Sequence, residues 1–152
     1  MGRLTLVTDD GATAAKIAEE SSACCVALRA RRMSRIITRI YDDALRRLGL
    51  TASQFTLLTA VAQQDGITAA EIGFDLDIEK STLSRNLKRL LQDGLLTMDP
   101  PAGRRGRGLH LTPKGETIIQ SGFPVWREAQ TRTIRVLGPE SRSPLDGLLT
   151  QA

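Results

Sequence analysis

Residues 79–107 read EKSTLSRNLKRLLQDGLLTMDPPAGRRGR, and they hold the whole surplus of positive charge in this chain. The stretch has seven Lys or Arg residues and three acids, whereas the other positions have fourteen residues of each sign. The net charge of +4 therefore belongs to one local segment. A local basic field beside small hydrogen-bonding side chains is typical of an element that reads DNA.

Leucine spacing predicts that the first half of this stretch is a helix from about Lys80 to Asp93, capped by Gly94. Its apolar positions recur at intervals of three and four and predict one buried face, formed by Leu83, Leu87, Leu90 and Leu91. The polar and basic positions must then face outward: Ser81, Thr82, Ser84, Arg85, Lys88 and Arg89. Residues 95–98 and 109–111 are short strand candidates around a Pro/Gly/Arg turn, which predicts a hairpin.

Two helix starts precede the basic helix. Thr51-Ala52-Ser53-Gln54 and Thr68-Ala69-Ala70-Glu71 both match a capping box, in which the hydroxyl and the N3 side chain bond free amides reciprocally. The second box opens a short helix that ends near Asp75, and a brief turn leads into the basic helix. This order predicts a helix-turn-helix, and the hairpin after it makes the arrangement winged.

Longer helices flank this central part. Residues from about 16 to 48 contain no Pro or Gly and predict one long helix, which Gly49 ends. Pro113 suits the first turn of a second long helix, which extends to about Leu137, and Pro124 is expected to kink it. We expect a flexible tail at residues 1–15 and a short or frayed helix within residues 139–152.

The composition limits the classes of function that this chain can have. The 152 residues fit one domain, and no apolar run approaches the ~20 residues that cross a bilayer. The only two cysteines are adjacent, at Cys24 and Cys25, which favours a reducing, cytoplasmic setting. His110 is the only histidine and has no partner at ligand spacing, so it is interpreted as structural or backbone-contacting. We expect no catalytic site, no metal and no cofactor, and hence not an enzyme.

Four stretches resemble the MarR family of bacterial winged-helix transcriptional regulators. They are LGLTASQFTLL (48–58), STLSRNLKRL (81–90), DGLL (93–96) and LTPKG (111–115), in the family's order and spacing. The resemblance implies a mainly α fold with a small β-hairpin, in which a winged helix-turn-helix (51–112) joins dimerisation helices at both ends (16–48 and 113–152). Residues 16–152 would form a single domain.

The resemblance also implies a function. A homodimer would bind a palindromic double-stranded DNA operator near the nucleoid, as a repressor released by a small aromatic or phenolic ligand. Thiol oxidation at Cys24 or Cys25 is an alternative means of release. The tyrosines that hydrogen-bond the reactive cysteine in peroxide-sensing relatives are replaced here by Ala52 and Phe55. A protein-binding winged helix without DNA affinity is a third possibility.

DNA contacts can be assigned residue by residue. The family's recognition helix meets the major groove at positions that match Ser81, Thr82, Arg85 and Asn86 here. Arg85 is predicted to pair with guanine through its planar fork. Ser84 shares this face, Lys88 and Arg89 would contact the DNA backbone, and Thr68 would present helix amides to a phosphate.

The wing would contribute Arg107 to the minor groove, flanked by Arg104 and Arg105. Many relatives have an aspartate that braces the wing arginine, where this chain has Gly103. The wing is therefore expected to become ordered only on DNA, and phosphate contact by Arg107 is favoured over minor-groove reading.

A ligand pocket is predicted between the first long helix, the helix that begins after Thr51 and the helix that begins at Pro113. Aromatic rings and one cation would suit an aromatic carboxylate. The candidate lining is Arg35, Tyr41, Phe55 and Trp126. Core or interface packing is the alternative role for Trp126, and a small buried hydrophobe is the alternative role for either cysteine.

Overall fold

The computed structural model describes residues 13–101 and 106–141. Within these, the chain divides into two compact units, one up to Ile36 and one from Ile37 onward. The helices are α1 (Ala14–Cys24), α2 (Val26–Leu45), α3 (Ala52–Gln63), α4 (Ala69–Asp75), α5 (Lys80–Gln92) and α6 (Pro113–Leu137). The strands are β1 (Ile67–Thr68), β2 (Leu96–Met98) and β3 (Gly108–Leu111). The mainly α winged-helix prediction is confirmed.

The first unit contains α1 and the beginning of α2, and here the prediction of one helix from 16 to 48 is wrong. Cys25 has an extended backbone (φ −62°, ψ 111°) that separates the two helices. Its Sγ accepts the N–H of Leu28 at 3.4 Å, and the Arg29 guanidinium donates to the Ala23 carbonyl, so the break is capped from both sides. No residue of α1 is buried.

Helix α1 begins earlier than the predicted end of the flexible tail. Residues 1–12 lie outside the described residues. Thr13 caps α1 through its side chain, and the helix begins at Ala14, so two positions assigned to the tail are helical.

The core of the second unit lies where α3, α5, α6 and the sheet meet. The end of α2 contributes Leu45, and a short 3-10 turn (Arg46–Leu48) leads to Gly49, which has the predicted left-handed backbone (φ 71°). Both predicted capping boxes are present, at Thr51 with Gln54 before α3 and at Thr68 with Glu71 before α4. These caps fix the entry of two helices into the core.

The hairpin is confirmed and gains a third strand. The antiparallel order is β1-β3-β2, with Ile67 opposite Leu109 and Thr97 opposite His110. The short β1 therefore ties the start of the helix-turn-helix to the base of the wing. Because β3 is central, the residues on it have neighbours from both other strands.

The long α6 packs closely on this core. Thr112 caps its start by accepting the N–H of Gly115, and the helix continues through Pro124 to Leu137. A β-carbon at Gly115 would lie 2.2 Å from the Leu95 carbonyl oxygen, so only glycine allows this approach. A 3-10 turn at Pro139–Ser141 follows. The rest of the predicted terminal helix (142–152) lies outside the described residues.

Candidate nucleic-acid interface

One face of α5 is buried and the opposite face is exposed, as the leucine spacing predicts. Leu83, Leu87 and Leu90 are 5%, 4% and 0% exposed, and Leu91 is half-buried. The polar face is exposed at Ser81, Thr82, Ser84, Arg85, Lys88 and Arg89, while Asn86 is half-buried. The Asn86 amide donates to the Thr82 carbonyl at 3.1 Å, so one of its N–H groups is used within α5.

Glu79 caps the start of α5, a role that the sequence did not predict. The Glu79 carboxylate accepts the N–H groups of Ser81 and Thr82 at 2.8 and 3.2 Å and the Ser81 hydroxyl as well. These hydrogen bonds, with a smaller contribution from the charge of Arg85, lower the pKa of Glu79. The Ser81 hydroxyl is therefore engaged within the protein, and a negative charge lies at the helix end that would otherwise attract a phosphate.

The cations of α5 differ in whether a carboxylate pairs with them. Arg89 donates from Nε to the Asp93 carboxylate at 2.9 Å, one helical turn away. Across residues 13–101 and 106–141, neither Arg85 nor Lys88 has a carboxylate within 4.0 Å. An exposed cation without an ion-pair partner has its charge available to an external anion, so Arg85 and Lys88 are better placed than Arg89.

The wing presents Arg107 at its base. Its Nε donates to the backbone carbonyl of Asp99, across the hairpin. Gly103, Arg104 and Arg105 lie outside the described residues. The DNA contacts of Arg104 and Arg105 therefore stay predictions, as does a wing that becomes ordered only on DNA. For Arg107 itself, a carbonyl oxygen serves as the brace.

A groove of about 1020 Å³ joins α4, α5 and the wing on this side of the domain. Its floor is apolar and includes Ile78, Leu83, Leu87, Leu91 and Met98. Polar and basic side chains complete the lining: Lys80, Ser84 and Lys88 from α5, and Arg107 from the wing. The fold thus brings the wing arginine and the basic side of α5 to one surface.

Thr68 lies beside this groove, but its polar groups are already used. Its N–H and its hydroxyl both donate to the Glu71 carboxylate at 2.7 Å, and its hydroxyl oxygen accepts the N–H of Glu71 at 3.3 Å. These bonds lower the pKa of Glu71, which keeps a negative charge at the start of α4. A phosphate contact by Thr68 stays a prediction, and this geometry does not favour it.

His110 contacts two carboxylates rather than the backbone. Its Nδ1 lies 2.8 Å from Asp65, and its Nε2 lies 3.0 Å from Asp99. Both acids raise the pKa of His110 through these bonds. The ring nitrogens point in opposite directions, and the described residues contain no group of three ligands arranged to hold a metal ion.

The predicted ligand residues do not line either cavity described for the second unit. Phe55 is 4% exposed and belongs to the core, and its predicted ligand contact stays a prediction. The Tyr41 hydroxyl donates to Gln130, and Trp126 stacks on Phe123 with ring centroids 5.9 Å apart. A smaller cavity of about 260 Å³ between α2 and α6 is lined instead by residues such as Asp43 and Arg132.

Arg35 is exposed on α2 in the first unit, as is Cys24 in α1. Cys25 is half-buried at the junction of the two helices. The roles of Arg35 and of the cysteines stay predictions. None of the described helices is long and apolar enough to cross a bilayer.

Comparison with known proteins identifies the family. The family model described as "MarR family" matches residues 48–106, the part from the end of α2 to the wing. The multiple antibiotic resistance protein MarR of Salmonella typhimurium is 34% identical over 83 residues, which are 54% of this chain and 58% of that protein. The chain spans about three-fifths of the length of the first curated relatives that it matches.

Solved structures extend the likeness. The transcriptional regulator MosR of Mycobacterium tuberculosis is 34% identical with a TM-score of 0.72, over 82% of this chain and 92% of that one. MosR in complex with DNA is 31% identical with a TM-score of 0.70, over 84% of this chain and 97% of that one. The chain belongs to the MarR family of transcriptional regulators.

Proposed function

We propose that this chain is a sequence-specific, double-stranded DNA-binding regulator that acts as a homodimer on a palindromic operator. The observation that carries the proposal is the surface shared by α5 and the wing, where Lys80, Lys88 and Arg107 line one groove. Arg85 extends from the exposed face of the same helix. The structure of MosR in complex with DNA supports this reading, because MosR shares the fold at 31% identity.

Each proposed contact follows from side-chain chemistry. The Arg85 guanidinium can donate two parallel hydrogen bonds to the edge of guanine in the major groove. The Lys88 ammonium is a compact charge that suits a phosphate, and phosphate contacts fix the register without reading sequence. Arg107 extends from the wing, where a cationic side chain suits a narrow minor groove or the flanking phosphates.

Apolar exposure in the first unit supports a second copy as partner. Val26 is 78% exposed, Ile17 is 53% exposed and Ile36 is 49% exposed, on helices that bury little within their own unit. Large apolar side chains exposed on helices that bury little are consistent with an interface, and most soluble homo-oligomers close with twofold symmetry. A twofold dimer would present two copies of α5 to a palindrome.

Selection of bound fragments from a random duplex library tests the proposal. We expect enrichment of a palindrome whose half-sites are about one helical turn apart, roughly 10 base pairs. Occupancy of such a site upstream of a reporter gene is expected to lower transcription, which is the repressor role, and the protein would act on the nucleoid in the cytoplasm. Random duplex DNA that is bound without any enriched site, or not bound at all, would contradict the proposal. Absence of all DNA binding would favour the protein-binding winged helix.

The homodimer has its own test. Sedimentation of the full chain is expected to give twice the monomer mass, and Val26→Asp is expected to reduce it to the monomer mass. Phe74→Asp is the matched control, because Phe74 is 88% exposed on α4 of the other unit. A wild-type monomer at concentrations that saturate the operator would contradict the dimer.

Thiol-based control is a second candidate, favoured by the junction between α1 and α2. The Cys25 sulfur accepts the N–H of Leu28 at 3.4 Å, at the start of a 20-residue helix. The Cys24 thiol is exposed and donates to the Glu20 carbonyl at 3.0 Å. Oxidation by hydrogen peroxide would transfer one oxygen to the sulfur, giving a sulfenic acid and water, and would change the cap at the junction of α1 and α2.

Mass spectrometry after peroxide treatment, combined with operator binding, tests this candidate. The expected result is a gain of one oxygen on one cysteine together with weaker binding. Cys25→Ser is expected to bind the operator normally and to resist peroxide. Full binding by a stoichiometrically oxidised protein would exclude redox control. Release by a small aromatic ligand stays a prediction from the family resemblance.

A further inference from the structure

The side chain of His110 connects three segments at the base of the wing. Asp65 lies in the turn between α3 and β1, Asp99 follows β2, and His110 is on the central strand β3. The imidazole lies between the two carboxylates, at 2.8 Å from Asp65 and 3.0 Å from Asp99. These three residues, Asp65, His110 and Asp99, are called the wing clasp below.

The clasp extends to the wing arginine through Asp99. The Asp99 N–H donates to the Gly108 carbonyl at 2.9 Å, and the Asp99 carbonyl accepts the Nε–H of Arg107. The fit is close, since a β-carbon at Gly108 would lie 2.6 Å from Oδ2 of Asp99 and 3.0 Å from the Gly66 carbonyl oxygen. Asp99 is thus held by His110 at its side chain and holds Arg107 at its backbone.

We propose that His110 is a positioning residue for DNA binding: by bonding Asp65 and Asp99 together, it fixes the Asp99 carbonyl that orients Arg107. This inference rests on the proposed DNA-binding function. The His110 side chain is 33% exposed and bonds Asp99 rather than Arg107, so it acts on the arginine through Asp99. The effect of His110 on DNA affinity is therefore indirect and depends on the protonation state of the imidazole.

Only the protonated imidazole can donate to both acids. A neutral imidazole has one N–H, so one carboxylate would face a lone pair and the bond on that side would be lost. The charged groups that face His110 from the described residues are Asp65 and Asp99, and the Arg107 guanidinium bonds the backbone carbonyl of Asp99. Both acids raise the pKa of His110 above its ordinary value of about 6.5.

Because the pKa of His110 is raised on folding, the direction in which pH changes the stability of the clasp is fixed. A group whose pKa is raised on folding contributes fully below its unfolded pKa, and the contribution is lost as pH rises through the folded pKa. The clasp is therefore closed in mildly acidic solution and opens toward alkaline pH. Because His110 is the only histidine of the chain, its titration can be followed without ambiguity.

NMR on the full chain tests the clasp without any DNA. The imidazole carbon-bound proton of His110 reports its pKa, and the Nε–H resonance of Arg107 reports whether the guanidinium is held. We expect the Arg107 signal to be protected at pH 6 and to lose protection along the same titration curve. Asp65→Asn keeps an acceptor but removes a charge, so it is expected to lower the pKa of His110 and to shift the Arg107 curve with it. An Arg107 resonance that does not respond to the His110 titration would overturn the inference.

Operator affinity at fixed ionic strength gives the second readout. From pH 6 to pH 8 the wild type is expected to weaken by roughly two- to fivefold, the range of exposed charge-assisted pairs. His110→Gln has no titrating group, so it is expected to bind weakly and without this pH response. Arg107→Ala is expected to bind weakly, and its affinity is likewise expected not to change with pH over this range. A His110→Gln variant that keeps the wild-type pH response would overturn the inference while leaving DNA binding intact. If the wild type binds no preferred site, the proposed function fails, and the NMR experiment still decides how Arg107 is held.

Discussion

The ring of Phe55 on α3 lies directly against the backbone of Gly122 on α6, so closely that a β-carbon at Gly122 would lie 2.5 Å from Cε2 of the ring. Phe55 is 4% exposed and cannot swing into solvent. This contact sets the distance between two helices of the core, and α5 packs on the same core through its leucines. The position of the proposed DNA-reading helix therefore depends on packing at a distance from it.

Gly122→Ala is expected to destabilise the protein. Alanine gains about 1 kcal/mol in helix propensity over glycine, but overpacking a tight core contact costs about 1–3 kcal/mol. With a buried ring at 2.5 Å, the overpacking cost is expected to exceed the gain. Urea denaturation measures the difference, with Ser121→Ala as an exposed control on the same helix. A Gly122→Ala protein more stable than wild type would show that α3 and α6 can separate freely.

Removal of the Glu79 charge is expected to have opposite effects on stability and on DNA binding. Hydrogen bonds lower the pKa of Glu79, so its contribution to stability is present above about pH 4.5 and is lost as pH falls through the folded pKa. Glu79→Gln is therefore expected to unfold at a lower temperature than wild type at pH 7, and the difference is expected to shrink as pH falls through the folded pKa of Glu79. Affinity for random duplex DNA is expected to rise, because a negative charge is removed from the start of α5. Weaker binding to random DNA would contradict this account of the helix terminus.

Lys88 and Arg89 offer a comparison of neighbouring cations. Lys88→Ala is expected to lower the slope of log K against log salt concentration by about 0.9, the value for one phosphate contact. Arg89→Ala is expected to change the slope less, because Asp93 lies 2.9 Å from its guanidinium. Titration of operator binding between low and moderate salt measures both slopes. A larger change for Arg89 would show that its ion pair opens on DNA.

The wing clasp also predicts a pH-dependent stability. The stability lost in His110→Gln is expected to be largest below about pH 6.5 and to shrink as pH rises through the raised pKa of His110. Thermal melting of both proteins from pH 5.5 to pH 8.5 measures this. A difference in melting temperature that stays constant across this range would mean that the imidazole does not act through its charge.

The sequence predicts most of the elements that hold the proposed DNA-binding surface, because their signals are local. Both capping boxes mark helix starts correctly, at Thr51 and at Thr68. The leucine spacing in α5 identifies its buried face, since a period of 3.6 residues is visible within one helix. The positions of the exposed Arg85 and Lys88 follow from it.

What the sequence does not predict depends on contacts between distant residues. The break at Cys25 has no Pro or Gly to mark it, and a sulfur atom supplies the cap. The two-residue strand β1 is too short for any period, and its pairing of Ile67 with Leu109 spans the helix-turn-helix. His110 gains its two acids from positions that are 45 and 11 residues away.

Arg85 is the residue on which the central claim depends, namely that α5 reads DNA bases. The most direct measurement is the ratio of affinities for the selected operator and for random duplex DNA, for wild type and for Arg85→Ala at one salt concentration. Arg46→Ala is the control, because it removes the same charge from an exposed side chain that pairs with Asp43 away from α5. We predict that the ratio falls by about tenfold or more for Arg85→Ala, in line with the loss of a bidentate base contact, and stays at the wild-type value for Arg46→Ala. An unchanged ratio for Arg85→Ala would contradict the claim.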